Sequence, residues 1–153
     1  MRRKFVLLIL SLVLLLNCLA VGTIAASVET GTDIIEFDDG SYLEVIVKKS
    51  LGRATDSVTG YKIYRYRDAS DNIEWEAELT ATYTYNGTTS TCTGANCSVT
   101  ISDSKWYVVS NSTTRSANTA TTLLTMGKKF LGITVGKPEY TITLTCDKDG
   151  NLS

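Results

Sequence analysis

Residues 73–85 alternate between apolar and polar side chains without a break, and this run limits what the chain can fold into more than any other feature. Ile73, Trp75, Ala77, Leu79, Ala81, Tyr83 and Tyr85 take the odd positions, with Glu74, Glu76, Glu78, Thr80, Thr82 and Thr84 between them. A period of two belongs to a β-strand, so the run predicts one long strand with its odd side chains in a core and its even ones in water. Asn86-Gly87 follows at once. That dipeptide suits the positive φ angles of a tight two-residue hairpin, so residues 88–93 are expected to return antiparallel.

The rest of the chain repeats the theme. A turn at 94–96 leads to a strand in which Cys97, Val99 and Ile101 alternate with Ser98, Thr100 and Ser102. Further strands are expected at 105–110, at 119–126 after a polar loop over 111–118, at 130–135, and at 140–146 after Gly136-Lys137-Pro138. Upstream, 34–37 and 42–47 flank Asp38-Asp39-Gly40-Ser41 as a hairpin, 50–60 has the composition of a loop, and 61–67 forms its own strand. A four-residue turn at 68–71 would set Tyr66 against Ile73, Arg65 against Glu74 and Tyr64 against Trp75. No stretch keeps apolar residues at helical spacing for three turns. Short strands with regular turn signals predict an all-β fold, an antiparallel β-sandwich with a small β-barrel as the alternative.

The chain opens with Arg2, Arg3 and Lys4 before an apolar run from 5 to 16, and Ala25-Ala26 supplies small residues where polar sequence begins. Residues 1–26 therefore have the form of a secretory signal peptide, leaving 27–153 as a single secreted domain. The alternative is an uncleaved membrane anchor, because the apolar stretch approaches the length that spans a bilayer. A lipoprotein reading of Cys18 is disfavoured by Asn17 before it. Residues 149–153 carry no hydrophobic sorting tail, so no membrane partner is expected after cleavage.

Twelve of the 15 basic residues remain after residue 26 against all 16 acidic ones, a net charge of −4. Binding to nucleic acid needs a concentrated basic face, and none is visible, so nucleic acid is not an expected partner.

Histidine is absent from all 153 residues, which removes Ser-His-Asp and Cys-His machinery and the common histidine zinc sites. Glu74, Glu76 and Glu78 could supply a glycosidase-like carboxylate pair, but their alternation is better explained as the solvated side of an amphipathic strand. Asp147-Lys148-Asp149-Gly150-Asn151 resembles the start of a calcium loop without its ligand spacing, and a turn is the simpler reading there and at Asp38-Asp39-Gly40. No catalytic residue, cofactor or metal site is therefore expected. Trp75, Tyr83 and Tyr85 belong to the core face of the long strand. Trp106 and Tyr107 are neighbours on a strand, so one of them must face outward, and they are the candidate surface contact. Asn-x-Ser/Thr sequons at Asn86, Asn96, Asn111 and Asn151 lie in expected turns or beside them.

Tyr83-Thr84-Tyr85-Asn86-Gly87-Thr88-Thr89-Ser90-Thr91-Cys92-Thr93, Trp106-Tyr107-Val108-Val109-Ser110, and the stretches 131–135 and 143–153 resemble small secreted proteins of clostridial, gut-type bacteria. The resemblance covers roughly residues 73–153 and, in kind, the signal peptide. It implies a location outside the cell without implying an activity, and no catalytic or binding residue carries over.

Cys92, Cys97 and Cys146 follow the signal peptide, an odd count that leaves one disulfide and one spare thiol in an oxidising compartment. Joining Cys92 to Cys146 closes about 55 residues and stabilises by about 4 kcal/mol, whereas joining Cys92 to Cys97 gives about 2 kcal/mol. The similar Thr-rich approaches to Cys92 and Cys146, and the cysteines in these contexts in the proteins it resembles, favour the long link. Cys92 to Cys97 stays open as the alternative. Together these features lead to the expectation of a secreted, non-catalytic domain that binds an extracellular protein or glycan; the alternative is a bacteriocin-like toxin or an enzyme inhibitor.

Overall fold

The computed structural model describes residues 26–50 and 56–153; the expected signal peptide, up to residue 25, and residues 51–55 of the loop expected over 50–60 fall outside that range, while residues 57–60 of that stretch are not loop but strand, paired with residues 81–84. The described residues form nine strands and no helix: β1 (Ser27–Glu36), β2 (Tyr42–Ser50), β3 (Ser57–Arg67), β4 (Ile73–Tyr85), β5 (Ser90–Ile101), β6 (Trp106–Ser116), β7 (Thr119–Phe130), β8 (Ile133–Gly136) and β9 (Glu139–Thr145). Strands β1 to β5 make one antiparallel sheet in sequence order. In the second sheet β7 pairs with β6 on one side and with both β9 and β8 on the other. The two sheets face each other as a β-sandwich and do not close into a barrel.

The long alternating run places the core. Trp75, Ala77, Leu79, Ala81 and Tyr83 are buried, and they meet Ala120, Leu124, Met126, Ile142 and Leu144 from the opposite sheet. Each large apolar side chain removed from water stabilises by about 1.5–3 kcal/mol, so this double row is the main reason the sheets stay together. Across the core the Tyr83 hydroxyl donates to the Leu144 carbonyl at 2.6 Å. At one margin Asn111 Nδ2 donates to the Cys97 carbonyl at 3.0 Å and Cys92 N–H to the Ala117 carbonyl at 2.7 Å. At the other, the Tyr64 hydroxyl reaches the Thr141 carbonyl at 3.3 Å. The five-stranded sheet overhangs its partner, and every residue of β1 is exposed.

Several local expectations are corrected. β4 and β5 do form a hairpin, but its loop has four residues, Asn86 to Thr89, with Tyr85 paired to Ser90. The Asn86 side-chain oxygen accepts the N–H groups of Thr88 and Thr89, which stabilises the longer loop over the two-residue turn. No turn occurs at 94–96; those residues continue β5, with a bulge at Thr93 where Gly94 pairs with Thr82 and Cys92 with Tyr83. The polar stretch 111–118 is not a loop: β6 runs to Ser116 and its polar side chains stand on an exposed face. Residues 130–135 are not one strand, because Leu131 and Gly132 turn the chain between β7 and β8.

The β3–β4 register differs from the expected one by two residues. Tyr66 pairs with Trp75, Arg65 with Glu76 and Tyr64 with Ala77. The loop from Asp68 to Asn72 is one residue longer than the expected turn, with Asp71 at φ 70° and the Asp68 carboxylate accepting the N–H groups of Ser70 and Asn72. Glu74 then becomes a bulge, since Arg67 pairs with Ile73 while Tyr66 pairs with Trp75. A slip of two keeps the faces of the strand from Trp75 onward, but the bulge turns Glu74 inward, where it is buried, and leaves Ile73, expected in the core, 38% exposed.

Candidate functional site

Turns from both sheets gather at the end of the sandwich where β1, β3, β5 and β7 finish, and an open hollow of about 400 Å3 lies among them, lined by Phe37, Asp38, Asp39, Ser41, Tyr66, Trp106, Pro138 and Tyr140. Its edge begins with the β1–β2 turn. Phe37 N–H donates to the Ser41 carbonyl at 2.9 Å, and Gly40 sits at φ 78°, in the left-handed region that glycine occupies without strain. The Asp39 carboxylate accepts both the N–H and the hydroxyl of Ser41, and these bonds hold its carboxyl below the usual carboxylate range. Ser41 in turn accepts the Tyr66 hydroxyl at 2.7 Å. This relay fixes the Tyr66 ring.

Around that ring lies a cluster of aromatics. Tyr66 stacks on Trp75 with centroids 5.7 Å apart, meets Trp106 edge to face at 5.2 Å, and lies 5.8 Å from Phe37. Tyr140 meets Trp75 edge to face at 5.0 Å. Offset and edge-to-face contacts at these distances add to simple burial, so the floor is rigid. Burial pushes the phenols of Tyr66 and Tyr140 upward, that of Tyr140 to about 12, so both are neutral hydrogen-bonding groups at ordinary pH. The Trp75 indole N–H is buried without an acceptor.

The bulge at Glu74 secures the other side. Its carboxylate accepts the Trp106 indole N–H at 2.6 Å and pairs with the Lys105 ammonium. Its carbonyl accepts the N–H groups of Ser102 and Asp103 at 2.9 and 3.0 Å. One residue therefore holds the crossover from β5 to β6 and the orientation of Trp106. The bond to Glu74 raises the Lys105 ammonium, and the Lys105 N–H lowers the Asp103 carboxyl.

Of the two candidate contact residues, Trp106 points inward and is 5% exposed, so only part of its ring reaches the hollow. Tyr107 points to the opposite face, where its ring lies over Gly127, its hydroxyl bonds Thr134 Oγ1 at 2.9 Å and the Lys129 ammonium sits 4.8 Å from its centroid. The structure therefore separates them. Glu74, Glu76 and Glu78 also part company: Glu74 is internal, while Glu76 is bound by Arg65 at 2.7 Å on the outer face. Arg65 bridges on to Glu44 at 2.9 Å. The stretch 147–151 is a turn, with the Asp147 carboxylate accepting the N–H groups of Asp149 and Asn151.

The expected disulfide is not formed. Cys92, Cys97 and Cys146 are all buried and unbonded, and burial pushes each thiol up. Cys92 and Cys97 lie on one continuous strand, and five residues of strand span about 16 Å, beyond the ~7 Å that a disulfide bridges between Cα atoms. Cys92 and Cys146 are neighbours across the β6–β7 turn, their N–H groups donating to the adjacent carbonyls of Ala117 and Asn118 at 2.7 and 3.1 Å.

Phe37, Asp39, Ser41, Tyr66 and Tyr140 were not visible as a site in the sequence. They come from separate segments, and only the Asp-Asp-Gly-Ser turn carried a local signal. Among the described residues no group of three or more metal-binding side chains occurs, and no helix is long and apolar enough to cross a membrane.

Fold and site together define an antiparallel β-sandwich of two unequal sheets with an aromatic hollow at one end. Compared with known proteins, the chain matches no family model, no curated protein and no solved structure.

Proposed function

We propose that the chain is an exported, non-catalytic binding module that takes an extracellular glycan in the aromatic hollow. The observation that carries this reading is the site itself: a rigid floor of Tyr66, Trp106 and Tyr140 beside a rim of Asp38, Asp39 and Ser41, open to solvent. Sugar rings present apolar faces that pack on aromatics and hydroxyls that bond to carboxylates and side-chain hydroxyls, so ligand sites of this kind combine an apolar lining with a few placed polar groups. Export rests on the basic start, the apolar run and Ala25-Ala26, and N-terminal sequencing of secreted protein is expected to begin near Ser27. The resemblance to secreted bacterial proteins agrees with that location.

The test is a glycan array and envelope pull-down with the exported protein, repeated with Asp38→Asn and Tyr140→Ala. Retention of a glycan by the native chain, weakened at least tenfold in both variants, supports the reading. Capture of a protein alone, or glycan retention unaffected by either substitution, refutes it. A zone of killing around producing cells would favour a toxin instead.

A further inference from the structure

The hairpin joining β7 to β8 carries its apolar side chains where no core receives them. The inward stripe of β7 runs through Ala120, Thr122, Leu124 and Met126, all buried, and continues through Lys128 to Phe130 beyond the opposite sheet. Phe130 pairs with Ile133 across a two-residue turn. Exposures are 67% for Phe130, 87% for Leu131, 70% for Ile133 and 59% for Val135. Leu131 adds a second oddity, because it takes φ 48° at the tip, a conformation cheap for Gly or Asn and uncommon for a bulky side chain. Neither core packing nor turn chemistry accounts for a leucine at this point.

Cations surround the tip. Residues 127–138 contain Lys128, Lys129 and Lys137 and no acidic residue. Lys128 is held 5.2 Å from the Trp106 ring on the inner face and Lys129 4.8 Å from the Tyr107 ring on the outer face. The acidic groups of this end lie on the neighbouring turns and at Glu139, where β9 begins; Asp39 is bound to Ser41 and feels the charge of Lys128, and Asp103 is bound to Lys105.

We propose that this hairpin inserts its tip into the interface of an anionic phospholipid bilayer. Phe130, Leu131 and Ile133 enter the boundary between headgroups and acyl chains, and the lysines lie at the phosphates. Interfacial anchors combine these two parts, apolar surface buried to shallow depth and basic residues on anionic headgroups. A narrow projecting tip with a basic collar fits a soft anionic surface better than another copy of this net acidic chain. Such an anchor leaves no long apolar run in the sequence, because its residues come from two short strand ends; the expectation of no membrane partner rested on the end of the chain at 149–153.

The inference is independent of the glycan reading: the glycan test reads the hollow, whereas the vesicle test reads the hairpin tip. The test is cosedimentation of the exported protein with vesicles of equal phosphatidylglycerol and phosphatidylcholine, and with pure phosphatidylcholine, at low and high salt. Expected are binding to the anionic vesicles alone, release by salt, and at least tenfold weaker binding by Leu131→Ser with Ile133→Ser and by Lys129→Glu with Lys137→Glu. A Phe130→Trp variant reads insertion directly as a blue shift of its emission on anionic vesicles. Circular dichroism checks that each variant is folded. The proposal is overturned if the native chain ignores anionic vesicles at low salt, if the tip variants bind as well as the native chain, or if the tip proves to hold a dimer that Leu131→Ser dissociates.

Discussion

Replacing Glu74 tests whether one bulged residue holds the β5–β6 crossover. In Glu74→Leu the Trp106 indole N–H, whose ring is almost fully buried, loses its acceptor. An orphaned buried donor costs about 1–3 kcal/mol. The ion pair with Lys105 adds less, because the Lys105 side chain is 36% exposed and recovers water; such a pair contributes at most about 1 kcal/mol. The carbonyl bonds to Ser102 and Asp103 belong to the backbone and survive any substitution. Glu74→Leu is therefore expected to destabilise by about 1–4 kcal/mol, and Glu74→Gln, which keeps an acceptor for Trp106, by about 1 kcal/mol or less. Urea unfolding followed by tryptophan emission measures both, since Trp75 and Trp106 are the only tryptophans and both are buried. Equal losses in the two variants, or a loss below about 0.5 kcal/mol in Glu74→Leu, would show that the carboxylate is not the support described.

Gly150→Ala is expected to destabilise by at least about 1 kcal/mol, because Gly150 sits at φ 81° and an added Cβ would meet the Tyr85 ring at 2.6 Å; chemical denaturation reads the loss. Stability is expected to fall in alkali as pH rises from about 10 towards 12, because burial raises the Tyr140 and Tyr83 phenols above their unfolded value, so that their stabilising share is whole below that value and is lost as they ionise. In acid the sign reverses: Asp39, Asp68, Asp103 and Asp147 are lowered chiefly by turn hydrogen bonds, so their stabilisation is present above the unfolded value near 3.8 and is lost as pH drops below it. Melting temperatures across both ranges check the two signs. Titration with a thiol reagent is expected to find three reactive cysteines in denatured mature protein and slow reaction in the native state; a single reactive thiol would mean that a disulfide forms, for which Cys92 and Cys146 are the neighbouring pair.

The strands were legible because alternation is written locally, residue by residue. Trp75, Ala77, Leu79, Ala81 and Tyr83 announce one face, and Tyr140, Ile142, Leu144 and Cys146 announce another. What sequence hides is the single inserted residue. Cys92 and Cys97 are five positions apart and should face opposite ways on a regular strand, yet both are buried because the bulge at Thr93 resets the alternation. Glu74 and Trp75 are adjacent and both internal for the same reason. A bulge is decided by what the neighbouring strand and turn require, so its position depends on pairings that a linear reading has not yet fixed.

That dependence also explains why the hollow and the hairpin tip escaped notice while the core did not. Core positions need only a periodic pattern, which a strand of this length carries alone. The hollow needs the Tyr66–Trp75 register, the inward turn of Glu74 and the arrival of Tyr140 from the other sheet, all at once. The tip needs the turn at Leu131 and Gly132, without which residues 130–135 pass for an ordinary buried strand. Both features lie at the same end of the sandwich. A tip seated in a bilayer would therefore bring Asp38, Asp39 and the aromatic floor to the membrane surface, where a glycan carried on a lipid or on the envelope is within reach of the hollow.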